Sequence, residues 1–312
     1  MKFLDLFSGI GGFRLGLEQY GHECVGFCEI DKYARQSYKA IHNTEGELEY
    51  HDITTVTDDQ WRELKGTVDI ITGGFPCQAF SIAGKRQGFE DETRGTLFFE
   101  IMRAAKQIQP PILFLENVKG LLNHDKGRTF RIILQAMDEL GYNAEWQVLN
   151  SKDFGVPQNR ERVFIIGHLR GAGGREVFPI GGTDEATAVP INLIVHSKGL
   201  EVRIATEQPI DRDYNKKGLS RETHLEFQKE NISPSLRSGV QAERLLYEPE
   251  YRIRKLTPLE CWRLQGFPDS AFRKAEQVVS NSQLYKQAGN SVTVNVITAI
   301  AEKLTESNPI QR

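Results

Sequence analysis

Cysteine is scarce in this chain: Cys24, Cys28, Cys77 and Cys261 are the only four among 312 residues. Four thiols do not make a disulfide framework, so the composition points to a reducing cytosol. Cys24 and Cys28 lack a second cysteine or histidine pair at zinc spacing. They sit in "HECVGFCEI", an apolar, strand-like run where buried packing is the expected role, and no metal is expected. No apolar run approaches the roughly 18 residues that would span a bilayer. The opening "MKFLDLFSG" reads as a strand entering a turn, without signal-peptide or transit-peptide anatomy. Internal repeats and low-complexity tracts are missing. So is a basic excess: the net charge is −3. That average does not exclude nucleic acid, because binding needs only a local basic face. "YRIRKLTPLECWRLQGFPDSAFRK" and "NRERVFIIGHLR" are such local basic stretches.

What is present is the balance of a soluble globular protein, with 39% hydrophobic and 26% charged residues. The length suggests about two domains. In the first half, short apolar runs alternate with helical patterns. "KFLDLF" precedes the helical "GGFRLGLEQYG", and "ECVGFCEID" precedes "KYARQSYKAIH". "VDIITGG", "ILFLENV" and "RVFIIGHL" are further strands, and "TFRIILQAMDELGY" is a helix ending at Gly141. This alternation predicts an α/β fold with a doubly wound, mostly parallel sheet covered on both faces. Its ligand site is expected at the carboxyl ends of the strands. The pattern breaks near residue 170 in the glycine-rich "RGAGGREVFPIGGTDEATAVP". From about 190 to 250 the chain is polar and weakly periodic, which suggests a second, smaller domain. A final helix, "VTVNVITAIAEKLTE", follows "QAGNS".

Four constellations carry candidate chemistry. In "DLFSGIGGF", Gly9, Gly11 and Gly12 permit a tight turn and close backbone approach at a helix start. The dinucleotide fingerprint asks for a third glycine where Arg14 stands, which weakens a pyrophosphate reading. Glu29 ends the second strand, where an acidic residue would bind ribose hydroxyls. Asp52 follows the expected third strand and is placed to accept from an adenine amino group. An adenosine-bearing ligand without phosphates satisfies all of these, and S-adenosylmethionine fits; a plain strand-to-helix turn would explain the glycines equally well. Cys77, in "GGFPCQ", follows a buried strand at the functional edge of the sheet, where a thiolate would be a strong nucleophile. A small residue packed beneath a turn would look the same. Glu116 ends the strand "ILFLENV", where partial burial would raise its pKa and fit it for acid catalysis; a helix-start charge is the bland alternative. In "PQNRERVFIIG", period two places Arg160 and Arg162 on one strand face and Glu161 on the other. Paired guanidinium groups suit a phosphate or a base carbonyl, and an exposed charge ladder is again the bland alternative.

In this order the motifs resemble those of bacterial-type DNA (cytosine-5) methyltransferases. "DLFSGIGG", "EIDKYA", "GGFPCQAFS", "RGTLFFE", "ENVKG", "LNSKDFGVPQNRERVFIIG", "RKLTPLECWRLQGFPD" and "QAGNSVTVNV" run nearly end to end, leaving about 171–234 as the family's variable target-recognition interval. The resemblance implies that Cys77 attacks C6 of the target cytosine and that Glu116 protonates N3. It implies that Arg162 contacts O2, with Arg160 in support. It implies that S-adenosylmethionine is held by Phe7, Gly9, Gly11, Gly12, Glu29, Ile30, Asp52, Ile53, Pro76, Leu97, Asn290, Ser291 and Val292. Gln78, Ser81, Lys85 and Arg94 are the candidate DNA contacts, in a polar loop of about residues 80–95 that would close over the substrate. The implied partner is double-stranded DNA, from which the target base is flipped. The implied organisation is a catalytic domain of 1–170 plus about 285–312, a target-recognition domain of about 171–260 and a hinge of about 261–284. "SPSLRSG" at 233–239 would border the recognition surface. A bacterial cytosolic, nucleoid-associated monomer is expected, either the modification component of a restriction system, with a cognate endonuclease acting on the same site without a stable complex, or an orphan bacterial or phage enzyme.

The rival readings each lack something. Adenine-N6 and cytosine-N4 methyltransferases carry Asp, Asn or Ser before Pro-Pro-aromatic, and this chain has "GFPC" there. The tRNA-methylating branch of the same family has a Cys-Phe-Thr tripeptide that is missing here. A nicotinamide-dependent oxidoreductase is disfavoured by Arg14 and gives Cys77 and Glu116 no joint role. A catalytically silent DNA-binding relative would not need the full catalytic set.

Overall fold

The computed structural model describes residues 1–76, 97–181 and 255–307, together with the backbone of short strands between 203 and 255. Cys77, Gln78, Ser81, Lys85, Arg94 and the expected closing loop lie outside the described residues.

The strands of the first half are β1 (Lys2–Leu6), β2 (Glu23–Cys28), β3 (Leu48–Tyr50), β4 (Ile70–Gly74), β5 (Ile112–Val118), β6 (Tyr142–Asn150), β7 (Gln158–Asn159) and β8 (Glu161–Leu169). Seven of them form one sheet in the order β3-β2-β1-β4-β5-β8-β6. The helices are α1 (Gly12–Glu18), α2 (Lys32–Ile41), α3 (Asp58–Arg62), α4 (Leu97–Ile108), α5 (Arg128–Glu139), α6 (Pro258–Leu264), α7 (Asp269–Ala275), α8 (Asn281–Asn290) and α9 (Val294–Ser307). Alternation along the strands feeds two cores. Leu4, Leu6, Leu113, Leu115 and Ile165 pack with Trp61, Phe98, Ile101 and Ile133 from α3, α4 and α5. Phe3, Ile112, Phe114, Phe164 and Ile166 pack with Leu17 of α1 and Ile297 and Ile300 of α9. Both faces of the sheet are therefore dry, which explains the nearly continuous apolar runs. A third core, around Ile41, Trp262 and Leu284, fastens α6, α7 and α8 to α2. Among the described residues no helix is long and apolar enough to cross a membrane.

The sheet is parallel from β3 through β5, and then its direction reverses. β8 runs antiparallel to both β5 and β6. This matters for the site. In an all-parallel sheet the start of β8 would lie at the amino edge, a strand length from Glu116. Here Arg162 is registered opposite Val118, at the carboxyl end of β5.

Residues 203–255 contribute a separate four-stranded sheet. Its strands are β9 (Arg203–Pro209), β10 (Thr223–Phe227), β12 (Glu243–Leu246) and β13 (Arg254–Lys255), in the order β10-β9-β12-β13, all antiparallel. The remaining strand, β11 (Ser233–Pro234), pairs in parallel with β7. The start of "SPSLRSG" thus lies against Gln158 and Asn159, immediately before Arg160.

Arg14, which replaces the fingerprint glycine, is 4% exposed. Its guanidinium holds Glu18 at 2.7 Å, Glu47 at 2.8 Å and the Asn43 carbonyl at 2.9 Å. It ties α1 to the loop before β3. The tight helix packing falls instead to Gly16, where a Cβ would lie 2.6 Å from Ile297 Cγ2 and 2.9 Å from the Thr298 backbone nitrogen. Backbone cannot swing aside as a side-chain tip can. Gly16→Ala should therefore destabilise the chain by about 1–3 kcal/mol, read as a lower urea midpoint at unchanged slope. An unchanged midpoint would mean that α9 yields freely.

Candidate active site

The turn after β1 depends on glycine. Gly9 and Gly11 have φ values of +55° and +86°, a left-handed backbone that costs other residues about 1–2 kcal/mol. Gly12 has no room for a side chain, since its Cβ would lie 2.6 Å from Val292 Cγ2. Phe7 takes φ +53° without that freedom, a strain of about 1–3 kcal/mol of the kind held at ligand sites. Glu29, at the end of β2, faces the turn. Its Oε2 accepts the Gly9 N–H at 2.9 Å and its Oε1 accepts the Asp31 N–H at 2.8 Å. Burial pushes the Glu29 pKa up, and these two hydrogen bonds oppose the shift. Asp31 caps α2 by accepting the Tyr33 N–H at 2.8 Å, and its other oxygen accepts from Lys286 Nζ of α8 at 2.6 Å. Gln287 adds a second tie between these helices, donating to the Tyr33 carbonyl at 3.1 Å.

A cleft of about 560 Å³ begins at this turn and continues to the ends of β4, β5 and β8, within the range of small-molecule sites. Glu116 lies at its far end. The residue is 8% exposed, and its Oε1 is 3.0 Å from Arg162 Nε. Burial raises the Glu116 pKa, while Arg162 and then Arg160 hold it back. The carboxyl is thus pulled by two opposing effects, burial upward and the guanidinium charges downward, with burial prevailing. Arg160, 3% exposed, donates to the Ser291 carbonyl at 2.7 Å and the Gly289 carbonyl at 3.3 Å. Burial, with Arg162 adding to it, brings the Arg160 pKa down to about 9, so it stays cationic at neutral pH. It ties the "AGNS" segment to the arginine strand. Asn117 closes the third side, donating from Nδ2 to the Phe75 carbonyl at 2.9 Å. That bond fixes the chain as it leaves β4 towards Pro76, the residue before Cys77.

Phe7, Gly9, Glu29, Pro76, Glu116, Arg160, Arg162, Asn290 and Ser291 all line this one cleft. The other candidates are placed around it. Gly11, Gly12 and Val292 shape the turn from behind. Ile30 is 69% exposed beside it. Asp52 caps the short turn Ile53–Thr55, accepting from the Thr54 N–H at 2.9 Å and its hydroxyl at 2.7 Å. Ile53 is buried in the first core and Leu97 packs against that core at the start of α4. Sequence reading passed over Asn117, Asp31 and Gln287, although each adjoins a motif residue. Cys24, Cys28 and Cys261 are buried as thiols, and burial pushes the first two up to about 12. The cleft wall pairs its charges: Asp31 with Lys286 and Glu116 with Arg162, while Arg160 is engaged by backbone carbonyls.

Comparison with known proteins identifies the family. The family model for C-5 cytosine-specific DNA methylase matches residues 1–235 and 183–306. The type II methyltransferase M.NlaX of Neisseria lactamica is 41% identical over 97% of this chain and 96% of its own length. The type II methyltransferase M.HhaI of Haemophilus parahaemolyticus is 37% identical over 98% of this chain and 95% of its own. In fold, the chain matches the S. pombe Dnmt2 methyltransferase with a TM-score of 0.68 and 21% identity, covering 100% of each. The chain belongs to the C-5 cytosine-specific DNA methylase family.

Proposed function

We propose that this chain transfers a methyl group from S-adenosylmethionine to C5 of a specific cytosine in double-stranded DNA, as the modification activity of a restriction-modification system. The observation that carries the reading is the shared cleft: the Glu29 and Gly9 end and the Glu116–Arg162 pair face one cavity, with Pro76 on its wall. Residues 1–170 plus about 285–312 form the catalytic part, about 171–260 the target-recognition part and about 261–284 the hinge, in a cytosolic monomer.

Cytosine C5 is a weak nucleophile, so it must be activated. The target base leaves the stack, at a cost of a few kcal/mol. Cys77 Sγ adds to C6, and Glu116 gives a proton to N3 as electron density moves onto the ring. Arg162, held against Glu116, takes the O2 side. Arg160 keeps the segment 289–291 in register behind it. Glu29, Phe7, Gly9, Asn290 and Ser291 hold S-adenosylmethionine, which supplies an electrophilic methyl group. The methyl would pass to C5 as its bond to the sulfonium sulfur breaks, leaving a neutral thioether; a base would then take the C5 proton, the C6–Sγ bond would break to release the Cys77 thiolate, and N3 would return its proton to Glu116. The DNA sequence read is decided by base contacts and DNA deformation.

Bisulfite sequencing of duplex DNA after incubation with the chain and S-adenosylmethionine should show protected cytosines in one sequence context. Uniform conversion, with label passing into tRNA instead, would favour the RNA-methylating branch. Cys77→Ala should abolish methyl transfer while S-adenosylmethionine still binds, and normal turnover by that variant would sink the covalent route. Glu116→Gln should lower turnover by about 10²-fold or more, with DNA affinity little changed. The sign of the pH dependence follows from the shift. Glu116 must carry its proton to donate it, so the wild-type rate should fall as pH rises through its raised pKa. The same limb should be lost from the Glu116→Gln profile; its persistence would assign it to another group.

A further inference from the structure

α2 meets the glycine turn again at its carboxyl end. His42 ends the helix and is 8% exposed. Its Nε2 lies 3.2 Å from the Ile10 carbonyl oxygen. A carbonyl oxygen can only accept, so Nε2 carries the proton and donates. Burial, with Arg14 and Lys274 adding to it, lowers the imidazole pKa to about 3, so the ring stays neutral. It packs on Tyr38 with the ring centres 4.6 Å apart. The same ring fills the space that a side chain at position 11 would need: a Gly11 Cβ would lie 2.1 Å from Nε2. The peptide joining Ile10 to Gly11 is thus held from both sides, because the Gly11 N–H donates to the Ser8 carbonyl at 2.8 Å. Arg14 steadies the arrangement from beyond, through the Asn43 carbonyl at 2.9 Å and Glu47 at 2.8 Å.

We propose that His42 is a positioning residue for S-adenosylmethionine: by donating to the Ile10 carbonyl and packing against Gly11, it sets the turn whose Gly9 and Ile10 line the cleft. The proposal rests on the reading of that cleft as the S-adenosylmethionine site. His42 touches neither reactant and acts only through the turn.

Calorimetric titration of the full chain with S-adenosylmethionine separates what the ring does from what its N–H does. His42→Gln keeps a donor at the same reach and gives up the ring. His42→Phe keeps the ring and gives up the donor. The expected dissociation constant rises about tenfold in His42→Phe and stays within about threefold of wild type in His42→Gln. At saturating S-adenosylmethionine, kcat should remain within about twofold in both, since only binding is affected. If His42→Phe fails to fold, His42→Met serves as the donor-free variant under the same criterion. A donor-free variant that binds like wild type overturns the proposal. So does a glutamine variant as weak as the donor-free one, or a kcat that falls in parallel with affinity. Absence of binding heat from the wild-type chain would overturn the cofactor reading as well, whereas equal affinities in every variant would overturn only the role of His42.

Discussion

The site depends on one ladder, the antiparallel pairing of β5 with β8. Because β8 runs against its neighbour, its first residues arrive at the same edge as the last residues of β5. Arg162 therefore meets Glu116 at 3.0 Å, deep enough that neither charge is fully hydrated. Removing one member of a buried pair leaves an uncompensated charge, typically at about 3–5 kcal/mol. Burial drives the carboxyl towards its neutral form, and Arg162 and Arg160 draw it back; the proposed proton transfer to the base draws on that tension. The parallel strands beside it bring the remaining parts to the same edge: the glycine turn after β1, Glu29 after β2 and the Phe75–Pro76 segment after β4.

The two halves of the cleft are held by different physics. The end at the turn after β1 uses backbone shape, with left-handed glycines, a strained Phe7 and a carboxylate that accepts two backbone N–H groups. The end at β5 and β8 uses charge, with the Glu116 carboxyl paired to Arg162 and also drawn by Arg160. α8 and the segment after it join them. Lys286 and Gln287 clip α2 on one side, and the Gly289 and Ser291 carbonyls receive Arg160 on the other. The chain beyond residue 181 touches this frame through the pairing of β11 with β7, immediately before Arg160.

Much of the architecture was legible in the residues. Two-sided burial writes itself as unbroken apolar runs, and so β1, β2, β4, β5 and β8 stand out. β6 does not: it is an edge strand whose nine residues include only two that are buried. The reversal of β8 leaves no mark in local pattern, because an apolar strand reads the same in either direction. Glu116 and Arg162 were each visible as a charge next to an apolar run, but their contact is a consequence of that reversal. Arg14 shows the opposite limit. In sequence it is visible only as a broken fingerprint; its positive role, a buried tie between α1 and the loop before β3, needed partners 29 and 33 residues away. His42, in a segment that none of the motifs covers, carries no signal in sequence at all.

The central claim is that methyl transfer proceeds through a covalent bond from Cys77 to the target base. Duplex DNA in which 5-fluorocytosine replaces cytosine tests it most directly, since fluorine at C5 cannot leave as a proton. With S-adenosylmethionine present, the account predicts a denaturant-resistant protein–DNA complex, with the modified nucleotide attached to the peptide that contains Cys77. Methylation of ordinary cytosine without any such complex, or attachment at a different residue, would contradict it.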